Sequence, residues 1–282
     1  METILDVTQG ASVVLLAFVM LLVSKICLDF LTPFKLDDQM TAKDNPAFGV
    51  SLVGYYIGIL IIIAGATQGE GLEDIPFWRQ LLIDAGWAAG GIALLNVSRL
   101  LLDKVALPKF SVRKELIEDR NVGMGAVEFG VYIGSSLVIA GAINGEGGDV
   151  LTALTFWALG QVSLIALVLV YEKVTPYSFH EQLEKDNLAA GLAFAGNAIA
   201  MGVVLLKGST VPFVSYQDNL LEFAYYFTAA LVLVVIGRWA IDLVLLPGRT
   251  LTQEIVEDQN VNAGFLEGGL LIGFAGVMSL VV

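Results

Sequence analysis

Long apolar runs alternate with short polar ones along the whole chain. Eight apolar segments stand out, at about residues 11–31, 46–66, 81–102, 121–142, 150–171, 188–206, 221–243 and 261–281. Each is close to the ~20 residues an α-helix needs to cross a hydrocarbon layer roughly 30 Å thick. Residues 13–22, 48–66, 150–170 and 229–236 carry no charge at all. The pattern predicts an all-α polytopic membrane protein of about eight transmembrane helices.

The polar punctuation is itself periodic. Charged stretches join segments one to two, three to four, five to six and seven to eight. Gly-rich acidic links such as Gln68-Gly69-Glu70-Gly71 and Asn144-Gly145-Glu146-Gly147-Gly148 stand between these pairs. Each even segment opens on an asparagine: Asn45, Asn121, Asn187 and Asn260. Four residues on lie Gly49, Gly125, Gly191 and Gly264, and nine residues on lie Gly54, Gly130, Gly196 and Gly269. The chain is a fourfold array of helical hairpins. A longer period overlies it. Shifting the second hairpin by 139 (260 − 121) brings Arg99 onto Arg238, Asp103 onto Asp242, Leu107-Pro108 onto Leu246-Pro247 and Glu128 onto Glu267. Two tandem four-helix repeats follow, 1–143 and 144–282. Each has an even number of spans, so both insert with the same orientation and are expected to pack about an axis along the membrane normal.

Composition sharpens this picture. Mean hydropathy is +0.77, and 15% of residues are charged, against about one quarter in soluble chains. The net charge of -13 excludes nucleic acid, whose phosphates call for Lys and Arg. Cys27 is the only cysteine and His180 the only histidine. That rules out an intrachain disulfide and a Cys/His zinc cluster, and leaves no nucleophile beside a base. No cofactor, metal or catalytic residue is expected. Lys and Arg gather between the spans of each hairpin, from Lys35 to Arg249, and at Lys25, Arg99 and Arg238; Arg79 and Lys207 are left for the other side. The positive-inside rule then puts the intra-hairpin segments in the cytoplasm and both termini outside. Glu2 and Asp6, without a basic residue near, argue for a retained first helix rather than a signal peptide.

Four features carry candidate chemistry. The four Asn suit helix N-caps, with Pro46 at a first helical position; the rival reading is a ring of Asn that binds a headgroup or an ion. Ser178 to Glu181 and Thr250 to Gln253 fit capping boxes of short surface helices. The eight repeated glycines, and pairs such as Gly54-x3-Gly58 and Gly269-x3-Gly273, suit close helix packing in lipid. Glu128 and Glu267 are the sharpest signal. Each lies seven residues past its Asn, roughly 10 Å into the helix. An ionised carboxylate there costs a few kcal/mol, on the order of 2.5–3.5 at the bilayer centre, unless partnered. Arg99 and Arg238 are the candidate partners, and Asp103 and Asp242 compete for them at i,i+4. Leu52 and Phe194 stand at the matching positions of hairpins one and three, so any carboxylate site is twofold. Asn96, Asn197 and Gln161 extend the polar set.

Leu31-Thr-Pro-Phe34, Lys43-Asp-Asn-Pro-Ala47, Glu118-Asp-Arg-Asn-Val122 and Glu257-Asp-Gln-Asn-Val261 together resemble the bacterial inner-membrane family catalogued as domain of unknown function 350. Its members typically carry one four-helix unit, and this chain resembles two. Hairpin three departs most, with Tyr171-Glu172-Lys173 in place of the basic-x3-Asp helix end. The resemblance implies a bacterial inner membrane and a setting of envelope stress and membrane maintenance, with no activity attached. Two functions are therefore expected in order. The first is transport or channel activity through Glu128 and Glu267 as protonatable or cation-binding groups. The second is a non-transporting scaffold that recruits a cytoplasmic protein. Membrane lipids and a homo-oligomer are the other expected partners.

Overall fold

The computed structural model describes residues 2–68, 75–105, 111–245 and 248–281, with only the backbone of 2–6, 102, 103 and 245. The Gly-rich link at 69–71 and the Leu-Pro pairs at 107–108 and 246–247 lie outside the described residues. Among the described residues, eight helices are long and apolar enough to cross a membrane: α1 (Glu2–Leu31), α2 (Pro46–Thr67), α3 (Phe77–Val105), α4 (Val122–Asn144), α5 (Val150–Val174), α7 (Leu188–Ser209), α8 (Tyr216–Leu245) and α9 (Val261–Val281). A short α6 (Phe179–Glu184) lies between α5 and α7. Among the described residues there is no strand. The chain is an all-α multi-pass membrane protein of four helical hairpins.

The even helix of each hairpin (α2, α4, α7 and α9) begins at the Asn end, and the four lie side by side in that order. α2 and α9 are the two ends of the row. The four Asn therefore stand in an open line, not in the ring of the rival reading. Glycine sets the spacing. A Cβ at Gly54 would lie 2.5 Å from the Cα of Phe129 in α4. One at Gly130 would overlap the backbone of Ala195, and one at Gly196 that of Gly268. Gly125, Gly191 and Gly264 likewise press on the carbonyls of Ala47, Gly123 and Ala189. Lipid chains give apolar helices no solvophobic reason to associate, so such backbone contact supplies the dispersion energy that joins them. Two of the eight repeated glycines depart from this role. Gly269 has open space beside it, and Gly49 is met only by the thioether of Met40, 3.7 Å away. They face outward because α9 and α2 have no further even helix to meet.

The odd helices form a second layer. α3 seats against α2 and α4, α5 against α4 and α7, and α8 against α7 and α9, while α1 leans on α2 and α3. Trp157 in α5 donates its indole N–H to the Ser98 hydroxyl in α3 at 2.9 Å, tying the two halves together across this layer. Burial follows position: 78% of the most apolar stretch of α7 is buried, against 11% of that of α1. The outward Phe18, Phe30 and Trp239 face the hydrocarbon, where apolar surface is at home.

Candidate functional site

The Asn end is built from one device used four times. Before each even helix the chain makes a short helical turn, which is a single π-turn at Asp38–Ala42, Lys114–Glu118 and Gln253–Glu257 and the α-helical α6 in hairpin three. The N–H of the Asn returns to the carbonyl of Gln39, Glu115, Gln182 or Glu254 at 2.8–3.0 Å. The residue before the Asn reverses the chain in the left-handed region: Asp44 (φ 47°), Arg120 (55°), Asp186 (53°) and Gln259 (47°). Such a residue closes a helix C-terminus, and without glycine it costs roughly 1–2 kcal/mol. Hairpin three has one residue fewer between acceptor and Asn. The other three absorb that residue in the π-turn.

Each side chain then does two things. Asn45, Asn121 and Asn187 Oδ1 accept from the N–H of Phe48, Met124 and Ala190 at 2.8–3.2 Å, which is the N-cap bond. Their Nδ2 groups donate to Leu116 O, Leu183 O and Ile255 O at 2.6–2.8 Å, each in the next hairpin. Asn260 closes the series, with Nδ2 on Glu254 of its own hairpin at 2.7 Å. The sequence pattern gives the cap; the bond to the following hairpin is a tertiary addition. Phe179, Leu183, Leu251 and Ile255 of the surface turns are buried against the bundle. In the second capping box, Gln253 N donates to Thr250 Oγ1 at 3.1 Å and Thr250 N to Gln253 Oε1 at 3.0 Å.

The acidic ends of the odd helices also serve the turn. Asp29, Glu172 and Asp242 accept from the N–H of Leu36, Phe179 and Leu251 at 2.9, 2.9 and 2.5 Å. Glu172 thus performs in hairpin three the task of Asp in hairpins one and four, despite the changed motif. Asp242 is turned to Leu251, and Arg238 reaches Glu267 instead. The Asp103 side chain lies outside the described residues. Lys25 pairs with Asp37 at 2.7 Å.

The two carboxylates sit in unlike surroundings. Glu267 is fully buried. Its Oε2 takes a salt bridge from Arg238 Nη1, and its Oε1 lies 3.3 Å from Asn197 Nδ2 and 3.5 Å from the Tyr171 hydroxyl. The guanidinium rests over the rings of Tyr177 and Tyr171, 5.6 and 6.0 Å from their centroids. The two tyrosine hydroxyls are 3.2 Å apart. Burial pushes the Tyr177 phenol above its ordinary range, against the opposing pull of Arg238. Arg238 Nη2 and Asn197 Oδ1 are buried without a partner.

Glu128 is also buried, and its Oε2 accepts from the Ser51 hydroxyl of α2 at 2.6 Å. Beside Ser51 lies a small cavity of about 20 Å³ lined by Arg99, Arg113, Tyr55 and Tyr132, room for about one water. Asn96 Nδ2 donates to the Tyr55 hydroxyl at 3.2 Å. Gln161 Oε1 accepts from the buried Ser135 hydroxyl at 3.4 Å. Ser51, Tyr171 and Tyr177 are the site residues that sequence reasoning misses, because serine and tyrosine are unremarkable in apolar helices. Cys27 is exposed on α1. A wider cavity of about 340 Å³ lies at the far end, lined by Asp84, Asn144, Glu146, Asp149 and Phe213 among others. Neither Glu128 nor Glu267 lines it. Among the described residues no group of His, Cys, Asp and Glu is arranged to hold a metal ion.

The family model described as Domain of Unknown Function (DUF350) matches twice, over residues 3–143 and 147–282. The chain belongs to this family, in two tandem copies. No curated protein and no solved structure matches it. Membership thus adds the duplication to the picture and brings no chemistry of its own.

Proposed function

We propose that this protein is a non-transporting scaffold of the bacterial inner membrane, holding the four Asn-capped turns as a fixed charged platform at the cytoplasmic face. The supporting observation is the buried, paired state of Glu267, enclosed by Arg238, Asn197 and Tyr171 between helices in backbone contact. A carboxylate that carries protons or cations must meet water on both sides in turn. Here the wide cavity stops short of both glutamates. A buried ion pair is a poor source of stability but a good device for fixing one register among alternatives. The platform in turn has charged, exposed faces that suit a soluble protein partner, with Glu181 and Glu184 on α6 as examples.

Purified protein in liposomes tests this. The expected result is proton and cation flux at the level of empty vesicles, unchanged by Glu128→Gln or Glu267→Gln. Flux that either substitution removes would replace the scaffold with a transporter. A second experiment asks for the partner: photo-crosslinkers at Glu181 and Gln253 are expected to trap one protein reproducibly, and a featureless spread of adducts counts against recruitment.

One observation favours transport as a second reading. Glu128 has a neutral hydroxyl partner and an Arg-lined space for about one water beside it, so proton exchange at Glu128 alone would be its form.

A further inference from the structure

The row of even helices is a head-to-tail series, and both of its ends are unfinished. Three times inside the chain the same interface forms. The glycine nine residues after one Asn packs on the residue eight after the next: Gly54 on Phe129, Gly130 on Ala195, Gly196 on Gly268. At the α9 end the corresponding Gly269 has nothing within 4 Å, nor have Gly273 and Gly276. At the α2 end the corresponding receptor is Val53, exposed together with Leu60. One edge is the donor half of the interface, and the opposite edge is its acceptor half.

Two further observations follow the same line. The Asn260 side chain bonds within its own hairpin, to Glu254 and the N–H of Asn262, where its three counterparts also reach a carbonyl of the next hairpin. Met40 holds, in hairpin one, the place of those acceptors. In addition, α3, α5 and α8 each fill the groove between two even helices, while α1 has only α2 on one side. That is why α1 is the least buried span, at 11%.

From the continuity of this interface we propose that copies of the chain associate head to tail in the membrane. The α9 edge of one copy packs on the α2 edge of the next, with Gly269 against Val53, and α1 fills the groove between them. All four even helices run the same way, so every copy keeps the same orientation in the bilayer, as insertion requires. The interface is heterologous, and such contacts propagate into rings or filaments rather than stopping at a twofold dimer.

Cysteine crosslinking in native membranes decides it. The equivalent separation inside the chain, from an ideal Cβ at Gly58 to that of Ser136, is 3.3 Å, with no backbone atom closer than 3.2 Å, near the roughly 3.8 Å of a disulfide. In a Cys27→Ala background, Leu60→Cys alone and Gly273→Cys alone are expected to stay monomeric on oxidation. The two mixed should give a dimer, and both in one chain a ladder beyond dimer. Adding Gly269→Leu, which points into open space and leaves the fold's melting temperature unchanged, should cut the ladder at least tenfold. Self-crosslinking of either single variant would establish a twofold dimer instead. Absence of the mixed dimer from variants of unchanged melting temperature would overturn association.

Discussion

The two halves descend from one pattern yet treat their carboxylates differently. In the second half, Glu267 meets a charge: Arg238 from α8, with Asn197 and Tyr171 around it. In the first, the described partner of Glu128 is a neutral hydroxyl, that of Ser51. The reason lies in two neighbours. Where the second half has Asn197, ten residues past its Asn, the first half has Tyr55. Where the second half has Tyr171, just before the acidic helix end, the first has Leu28. Tyr171 packs edge-on to Phe179 and Phe194, and with Tyr177 it walls in the guanidinium. Leu28 supplies no such wall, and a small cavity lies there instead. Duplication has kept the carboxylate and let its surroundings diverge.

The largest expected effect breaks the tighter half. Glu267→Ala leaves Arg238 buried without its counter-charge, and unfolding free energy in mixed micelles should fall by about 3–5 kcal/mol. The double variant Glu267→Met/Arg238→Met should recover most of that loss, because neither charge is then stranded. Failure to recover would mean that the pair does more than neutralise itself. The Asn series comes next. Asn187→Ala removes the cap and the bond to Ile255, for about 2 kcal/mol by the same assay, whereas Asn260→Ala loses about half as much because it has no next hairpin to hold. Equal losses would show the inter-hairpin bonds to be idle. Glu128→Gln keeps a hydrogen-bond acceptor for Ser51 and should cost about 1 kcal/mol or less. A loss as large as that of Glu267→Ala would erase the difference between the halves.

The smallest effect lies outside the bilayer. Asp149 accepts from Thr152 N at 2.9 Å at the start of α5, and this bond holds its carboxyl below the usual range. The stabilisation is therefore present above the ordinary aspartate range and is lost as pH falls through the lowered value. Asp149→Asn should flatten a slight acid-side decline in melting temperature.

Much of the molecule is legible in the chain. The spans, the hairpin repeat, the duplication and the Asn caps depend on residues near one another in sequence, through apolar length and helix-end hydrogen bonding. Glu128 and Glu267 were visible for the same reason, as charges inside apolar runs. Their partners were not. Ser51 lies 77 residues from Glu128 and Asn197 lies 70 from Glu267, and only the packing of separate helices sets which polar atoms meet. The glycines show the same division. The sequence places eight of them in equivalent positions, but the tertiary row presses six onto neighbouring backbone and leaves Gly49 and Gly269 at its edges. Local chemistry recurs in each hairpin with small variations, whereas neighbours depend on where in the row a hairpin stands, so only the assembled row could tell an end from a middle.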